Sequence, residues 1–254
     1  MALLAVENLN KRFGGLKAVS DVSFYIRRGT IKSLIGPNGA GKTTLFNLIS
    51  GFLRPDSGRV VFEGKPIQEL KPHQIAGRGL ARTFQHIRLF AKMTALENVM
   101  IGRHSHSRAG FISGVLSLSP TRKEEREIRE KSLEIMEFLG IAGLAGLEAT
   151  SLSYGQQRAV ELARALACEP KLLLLDEPAA GLNMRETAET ARLISRIKDT
   201  GVTVLLVEHD MSLVMNISDE ILVLSYGQTI ADDTPLAIQR NAEVIKIYLG
   251  EEDA

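Results

Sequence analysis

Eight consecutive residues, Gly36-Pro37-Asn38-Gly39-Ala40-Gly41-Lys42-Thr43, carry the densest chemistry in the chain. They fit the pattern G-x-x-x-x-G-K-[ST], whose glycines let the backbone close around an anion with its N–H groups turned inward. A helix starting directly after such a turn adds further free N–H groups and the positive end of its macrodipole. In this arrangement Lys42 reaches β- and γ-phosphates, and the Thr43 hydroxyl is placed to ligate Mg²⁺. The context fits as well. The run follows a short apolar segment, Ile31–Ile35, and precedes a helical pattern, Lys42–Ser50, that Gly51 can end.

A second set of groups lies far along the chain. Leu172-Leu173-Leu174-Leu175 is followed by Asp176 and Glu177. Four apolar residues suit a strand buried on both faces, and open α/β sheets place ligands at the carboxyl ends of such strands. Asp176 would hold Mg²⁺ through water, and Glu177 would polarise an attacking water. Alone, the pair reads equally well as a solvated strand end; beside a phosphate loop it reads as hydrolytic machinery. Leu152-Ser153-Tyr154-Gly155-Gln156-Gln157 opens a helix running through Arg158 and Glu161 to Arg164. Ser153 is a good N-cap, and the free N–H groups after it form another anion site. The plainer reading is an ordinary capped helix.

These groups need a scaffold. Residues 3–9 and 19–26, with Gly14-Gly15 between them, read as strands of a small N-terminal sheet, and Arg59–Phe62 follows a turn at Pro55-Asp56-Ser57-Gly58. From about Thr94 to Ala167 there is almost no β pattern. Thr121-Arg122-Lys123-Glu124 fits a capping box with Pro120 just outside, Ile128, Ile135, Met136 and Leu139 share one helical face, and Gly140 is a plausible stop. A second helix is expected over Tyr154–Cys168. Alternation then returns, with strands at Leu172–Leu175 and Val202–Val207 and a helix at Glu186–Lys198, which implies parallel pairing through crossovers. The expected fold is α/β, with a helical insertion and no internal repeat.

Composition narrows the classes. The 254 residues suffice for one large α/β domain or two small ones, with 44% hydrophobic and 24% charged residues. Lys plus Arg number 31 against 30 for Asp plus Glu, so no general attraction to nucleic acid or anionic lipid is expected. The single cysteine, Cys168, excludes an internal disulfide framework. No run approaches the roughly 18 apolar residues of a membrane span, and Met1–Leu9, interrupted by Glu7 and Asn8, lacks a basic leader. The simplest expectation is a soluble cytoplasmic protein.

The order of these motifs resembles the ABC ATPase family over about residues 3 to 250. The order is a phosphate loop, Gln85 after Thr83-Phe84, Leu-Ser-x-Gly-Gln at 152–156, Asp-Glu-Pro at 176–178, and a strand leading to His209. The resemblance implies a P-loop NTPase (RecA-like) core with a small N-terminal antiparallel β subdomain, at about residues 1–85 and 168–254. It also implies an inserted α-helical subdomain, at about 86–167, carrying the signature. Two such domains pair head to tail around ATP and Mg²⁺. Each nucleotide lies between one chain's Gly36–Thr44 and the other's Ser153, Gly155 and Gln156. By the same resemblance Phe13 stacks on adenine, Gln85 touches Mg²⁺ and senses the membrane partner, Glu177 is the general base, and His209 contacts the γ-phosphate. Metal contacts fall to Thr43, Gln85 and Asp176. A core position near Val19 is the other reading of Phe13, and His104 and His106 read as surface residues.

Two positions depart from the common pattern: Tyr154 stands where glycine is usual, and Asn183 where many members carry aspartate. With Ala81-Arg82-Thr83-Phe84-Gln85, Ile87-Arg88-Leu89-Phe90 and the C-terminal Val244-Ile245…Tyr248-Leu249-Gly250, they look like ATPase subunits of bacterial branched-chain amino-acid importers. That resemblance implies a second ATPase subunit, two transmembrane permease subunits, a periplasmic or extracellular solute-binding protein acting indirectly, and a place on the cytoplasmic face of the inner membrane. Urea or amide importers, lipopolysaccharide exporters and non-transport ABC ATPases are the alternatives. Ile87, Leu89, Phe90 and Met93 read either as core or as a groove for a permease helix.

Overall fold

The computed structural model describes residues 2–85, 87–103 and 119–249. The chain opens with strands β1 (Ala2–Phe13) and β2 (Leu16–Arg27), which pair antiparallel across the Gly14-Gly15 turn, where Gly14 takes φ 59°. Both run longer than the apolar alternation alone suggests. The polar end of β1 is held by Asp56, which accepts from the Lys11 Nζ and the Arg12 N–H, each at 2.7 Å.

Strand β3 (Ile31–Ile35) follows and is buried along its whole length, Lys32 included. A buried ammonium needs partners. Lys32 Nζ donates to Tyr25 O at 2.9 Å and to Asp232 Oδ2 at 2.8 Å. Helix α1 (Lys42–Ile49) comes next, packing Leu45, Phe46, Leu48 and Ile49 inward, and Gly51 at φ 76° closes it. Strands β4 (Ser57–Phe62) and β5 (Lys65–Pro66) and the short α2 (Pro72–Ala76) complete this stretch. The first sheet is antiparallel in the order β2-β1-β4-β5.

Residues 76–173 form a compact unit of their own. After β6 (Leu80–Arg82) it is helical: α3 (Ala95–Arg103), α4 (Ser119–Phe138) and α5 (Tyr154–Leu166). Its only bridge outside a named strand, among the described residues, joins Thr94 to Glu148. Helix α4 begins at Ser119, two residues before the expected Thr121 capping box. Pro120 therefore falls in the first turn, where a missing N–H costs no helical bond. Ile128, Met136 and Leu139 are buried as the periodicity suggests, and Gly140 at φ 72° ends the run. Gly102 lets α3 lie directly on α5: a Cβ there would stand 2.2 Å from Arg164 O. His104 and His106 lie outside the described residues.

Strand β7 (Leu172–Asp176) leads back into the first unit, residues 1–75 and 174–254. There follow α6 (Met184–Asp199), β8 (Thr203–Val207), α7 (Met211–Ile217), β9 (Glu220–Ser225), β10 (Gln228–Asp233), α8 (Pro235–Arg240) and α9 (Ala242–Leu249). In the second sheet β3 is central, parallel to β8 on one side and to β9 on the other, with β10 antiparallel at the edge and β7 beyond β8. Ile35, Val214, Ile221, Val223, Ile238 and Val244 form a core on one face of it. The expected α/β fold is the observed one.

Candidate nucleotide-binding and hydrolysis site

The loop after β3 is shaped by close backbone approaches. A Cβ on Gly36, at φ 149°, would lie 2.1 Å from Leu224 O, and one on Gly41, at φ 100°, would lie 2.3 Å from Ala18 O. The β9–β10 turn is stapled to the loop, since the Gly227 N–H donates to Ala40 O at 3.0 Å while Gly227 O accepts from the Ser20 N–H at 2.8 Å. Asn38 and Gly39 stay exposed at the tip, with Pro37 and Thr44 half-buried and Thr43 exposed. In α1 the Leu45 N–H bonds to Gly41 O, so the N–H groups of Lys42, Thr43 and Thr44 lie ahead of the first helical bond. Such a cluster of donors at a helix start suits an anion.

Lys42 is buried, and its Nζ donates to Gly36 O at 2.6 Å and Pro37 O at 3.0 Å. Burial pulls its pKa below the ordinary lysine value, and the negative charge of Glu177 works the other way. A flexible ammonium resting on loop carbonyls is poised to exchange them for phosphate oxygens.

At the end of β7, Asp176 is buried and Glu177 is partly exposed. Glu177 takes φ 51°, a left-handed conformation costly for a residue with a Cβ, and its N–H donates to Val207 O at 2.9 Å. Its Oε1 lies 2.9 Å from His209 Nε2. With Glu177 ionised, the Nε2–H donates. The base expected at 177 and the histidine expected at 209 therefore meet, although 32 residues separate them in sequence.

Sequence reasoning passed over Glu208, which organises this corner. Its buried carboxylate accepts from the Ala179 N–H at 2.7 Å and from the His209 N–H at 3.0 Å. Burial pushes its pKa up, while the N–H groups of Ala179, His209 and Asp210 hold it down. The only available signal was its place beside His209.

Phe13 is 47% exposed at the end of β1, with Lys11 Nζ 5.8 Å from the ring centroid. It is not a core residue, whereas Val19 is buried. Asn183 caps α6: its Oδ1 accepts from the Arg185 and Glu186 N–H groups at 3.0 Å each, and Glu186 reaches back to the Asn183 N–H. That is why α6 starts at Met184 and not at Glu186, which serves as the third residue of a capping box.

In the second unit, Ser153 and Gln156 form the same device at the start of α5, with the Ser153 N–H donating to Gln156 Oε1 at 2.9 Å. Ser153 and Gln156 are exposed and Gly155 is half-buried. Gln85 is exposed in the irregular segment after β6. Phe90 (52% exposed) and Met93 are open to solvent, which sets them outside the core, while Ile87 and Leu89 are half-buried.

Thr43 and Asp176 offer hard oxygen donors, and Mg²⁺ commonly takes only one or two protein ligands beside phosphate oxygens. Among the described residues no group of three or more His, Cys, Asp or Glu could bind a metal by itself. The chemistry of the two oxygen donors Thr43 and Asp176 fits Mg²⁺ that arrives with a nucleotide's phosphates.

A glycine-rich loop between a buried strand and a helix, with carboxylates at the end of a strand in the same sheet, defines a P-loop nucleotide-binding protein. The family model described as "ABC transporter" matches residues 19–180, and one described as "Branched-chain amino acid ATP-binding cassette transporter" matches residues 228–254. The chain is 46% identical to the high-affinity branched-chain amino acid transport ATP-binding protein BraF of Pseudomonas aeruginosa, over 98% of both chains. It is 41% identical to a probable branched-chain amino acid transport ATP-binding protein of Archaeoglobus fulgidus, over 100% of this chain and 98% of the other. Among solved structures, an ATP-binding cassette of an ABC transporter in its ADP conformation superposes with a TM-score of 0.86 at 37% identity, covering 99% and 100% of the two chains. A dimeric post-hydrolysis cassette bound to ADP and Pi superposes at 0.77 with 26% identity, covering 91% and 98%. The chain belongs to the ABC transporter family and is one of its ATP-hydrolysing cassettes.

Proposed function

We propose that this chain is the ATP-binding and hydrolysing subunit of an importer for branched-chain amino acids, acting on the cytoplasmic face of the membrane. The observation that carries the hydrolytic reading is the Glu177–His209 pair at 2.9 Å, held beside the Lys42 loop by one sheet. The solute is supported by full-length relatives named for branched-chain amino acid transport. Among the described residues no helix is long and apolar enough to cross a membrane, which suits attachment through separate permease subunits.

The proposal assigns each residue a role. Phe13 offers an exposed ring for adenine. The donors from Gly36 to Thr44 and the ammonium of Lys42 bind the phosphates. Thr43 and Asp176 would hold Mg²⁺, which when bound neutralises charge on the phosphate oxygens. Glu177 is the general base for water, and His209, donating from Nε2, orients it and then reaches the γ-phosphate. Ser153, Gly155 and Gln156 face the nucleotide of a second ATPase subunit, and Gln85 is the group that reports on the permease. The dimeric cassette among the structural relatives supports pairing.

The test is reconstitution of the chain with its two permease subunits and binding protein in vesicles. Leucine should stimulate ATP hydrolysis and enter the lumen. Stimulation by urea or a short amide, with none by leucine, would move the solute assignment to the related importers. Full activity in Glu177→Gln would move the base.

A further inference from the structure

The departure at Tyr154 has a structural partner. Arg158 lies one helical turn further along α5, so the two side chains share a face. Arg158 is buried, 9% exposed, and its guanidinium reaches away from the helix. Nη1 donates to Phe84 O at 2.8 Å, and Nη2 donates to Gln85 O at 2.6 Å and to the Tyr154 hydroxyl oxygen at 2.9 Å. The Arg158 Cζ is 5.3 Å from the Tyr154 ring centroid, so the ring also supports the cation. Glu161, buried on the next turn, balances the charge, with Oε2 3.6 Å from Nη1. The Cζ atoms of Arg82 and Arg88 lie over the Phe84 ring, 5.2 and 4.8 Å from its centroid.

We propose that Arg158 and Tyr154 are positioning residues that tie the backbone of Phe84–Gln85 to the first turn of the signature helix, so that a displacement of Gln85 is felt at the Ser153–Gln156 cap. The chemistry favours arginine at 158. Two consecutive carbonyls need a planar donor with two nitrogens in fixed directions, which a lysine ammonium cannot match. It also favours tyrosine at 154. Glycine has no oxygen to accept from Nη2 and no ring to cover the guanidinium, so the tie would lose its anchor on the helix. The consequence for hydrolysis rests on the reading of Ser153–Gln156 as the segment that meets another chain's nucleotide.

The test uses the full-length purified chain as wild type, Arg158→Lys, Tyr154→Phe and the double variant. Amide exchange is followed in peptides covering 83–90 and 152–157, with thermal unfolding, ADP affinity and ATPase kinetics in parallel. Arg158→Lys should speed exchange in both peptides and lower kcat about tenfold, with ADP affinity within about twofold of wild type. Tyr154→Phe, which keeps the ring and is the variant expected to fold normally, should give about a threefold loss in kcat. The double variant should lose no more than Arg158→Lys alone, because one tie cannot be broken twice. Faster exchange in only one peptide, additive losses, or a Tyr154→Phe chain with wild-type exchange in both peptides would each overturn the proposal. Ser153→Arg separates the two readings. If it leaves ATPase intact while Arg158→Lys loosens both peptides, the intermolecular reading of Ser153 fails and the tie stands.

Discussion

Two glycines of one loop should fail in different ways when given the same methyl group. At Gly36 the new Cβ would stand 2.1 Å from Leu224 O and 3.1 Å from Ala40 Cβ, with φ at 149°. The first obstacle is a strand carbonyl, so it cannot step aside as a side-chain tip could. Backbone strain costs about 1–3 kcal/mol and forced overpacking about 1–3 kcal/mol more, so Gly36→Ala should lose roughly 2–6 kcal/mol. At Gly39 the Cβ meets nothing within 4 Å, and only the positive φ of 80° is penalised. That is worth about 1–2 kcal/mol. Urea unfolding followed by circular dichroism, beside binding of a fluorescent nucleotide, would separate them. Gly36→Ala should drop the midpoint sharply, with Tm lower by roughly 10 °C, at about 2–4 °C per kcal/mol for a chain of this size. Gly39→Ala should lose only the smaller φ penalty of about 1–2 kcal/mol and also lose affinity, because its methyl sits on the exposed tip of the phosphate-binding turn. Equal losses of stability in the two variants would refute the reasoning, since they would mean the loop relaxes away from Leu224 at no cost.

Other outcomes follow from the same geometry. Glu177→Gln should fold and bind ATP, yet lose about 10²–10⁴ in kcat in a steady-state phosphate-release assay, with dimer accumulating on ATP; turnover near wild type would place the base elsewhere. Phe13→Ala should weaken nucleotide binding by about 1 kcal/mol in a titration while Phe13→Trp keeps it, and unchanged affinity in both would remove the stacking role. Asn183→Ala should cost about 1 kcal/mol through the lost cap, whereas Asn183→Asp keeps both N–H contacts and gains from the helix macrodipole, as thermal melts would report. The hydrogen bond from Lys11, with the Arg12 N–H, holds the Asp56 carboxyl below its usual range, so its stabilisation is in place above the ordinary carboxylate pKa and is lost as pH falls through the folded value. Melting of Asp56→Asn against wild type should show a gap at neutral pH that closes on acidification, and a gap that ignores pH would rule the ion pair out.

The phosphate loop was legible because its function resides in spacing: glycines, a lysine and a hydroxyl within eight residues, flanked by one strand and one helix. The buried strands were legible for a related reason, since Leu172–Leu175 and Val202–Val207 have no polar side to expose apart from Thr203. Groups defined by long-range pairing were not legible. Lys32 sits in a run that reads as apolar, and its partner Asp232 lies 200 residues away. Gly227 could have been suspected, because Tyr226-Gly227 separates two strand-like runs as a hairpin turn does. Helix starts are hard to read where the terminal residue suggests something else: Asn183 stands out as a replacement for aspartate, and Pro120 as a boundary. Arg158 gave no signal, because one arginine among several on a charged helix cannot be singled out until Phe84 and Gln85 are seen beneath it.

The placement of Glu208 explains how a strained base can be kept in position. Glu177 occupies a left-handed conformation, and such strain persists only where the surroundings determine it from several sides. On one side its N–H is fixed to the end of β8 through Val207 O. On the other its side chain meets His209, which follows β8 by two residues. Glu208 closes the loop between these points, because one carboxylate binds the Ala179 N–H beyond the base and the His209 N–H beyond the strand. The two turns that carry the base and the histidine are thus joined by three separate bonds. A buried carboxylate next to another carboxylate is electrostatically unfavourable, and the raised pKa of Glu208 reflects burial first and the charge of Glu177 last. The two backbone N–H groups it fixes offset that cost. Neither turn can then shift without moving the other, so the 2.9 Å contact between Glu177 and His209 is imposed by the backbone and not left to two flexible side chains.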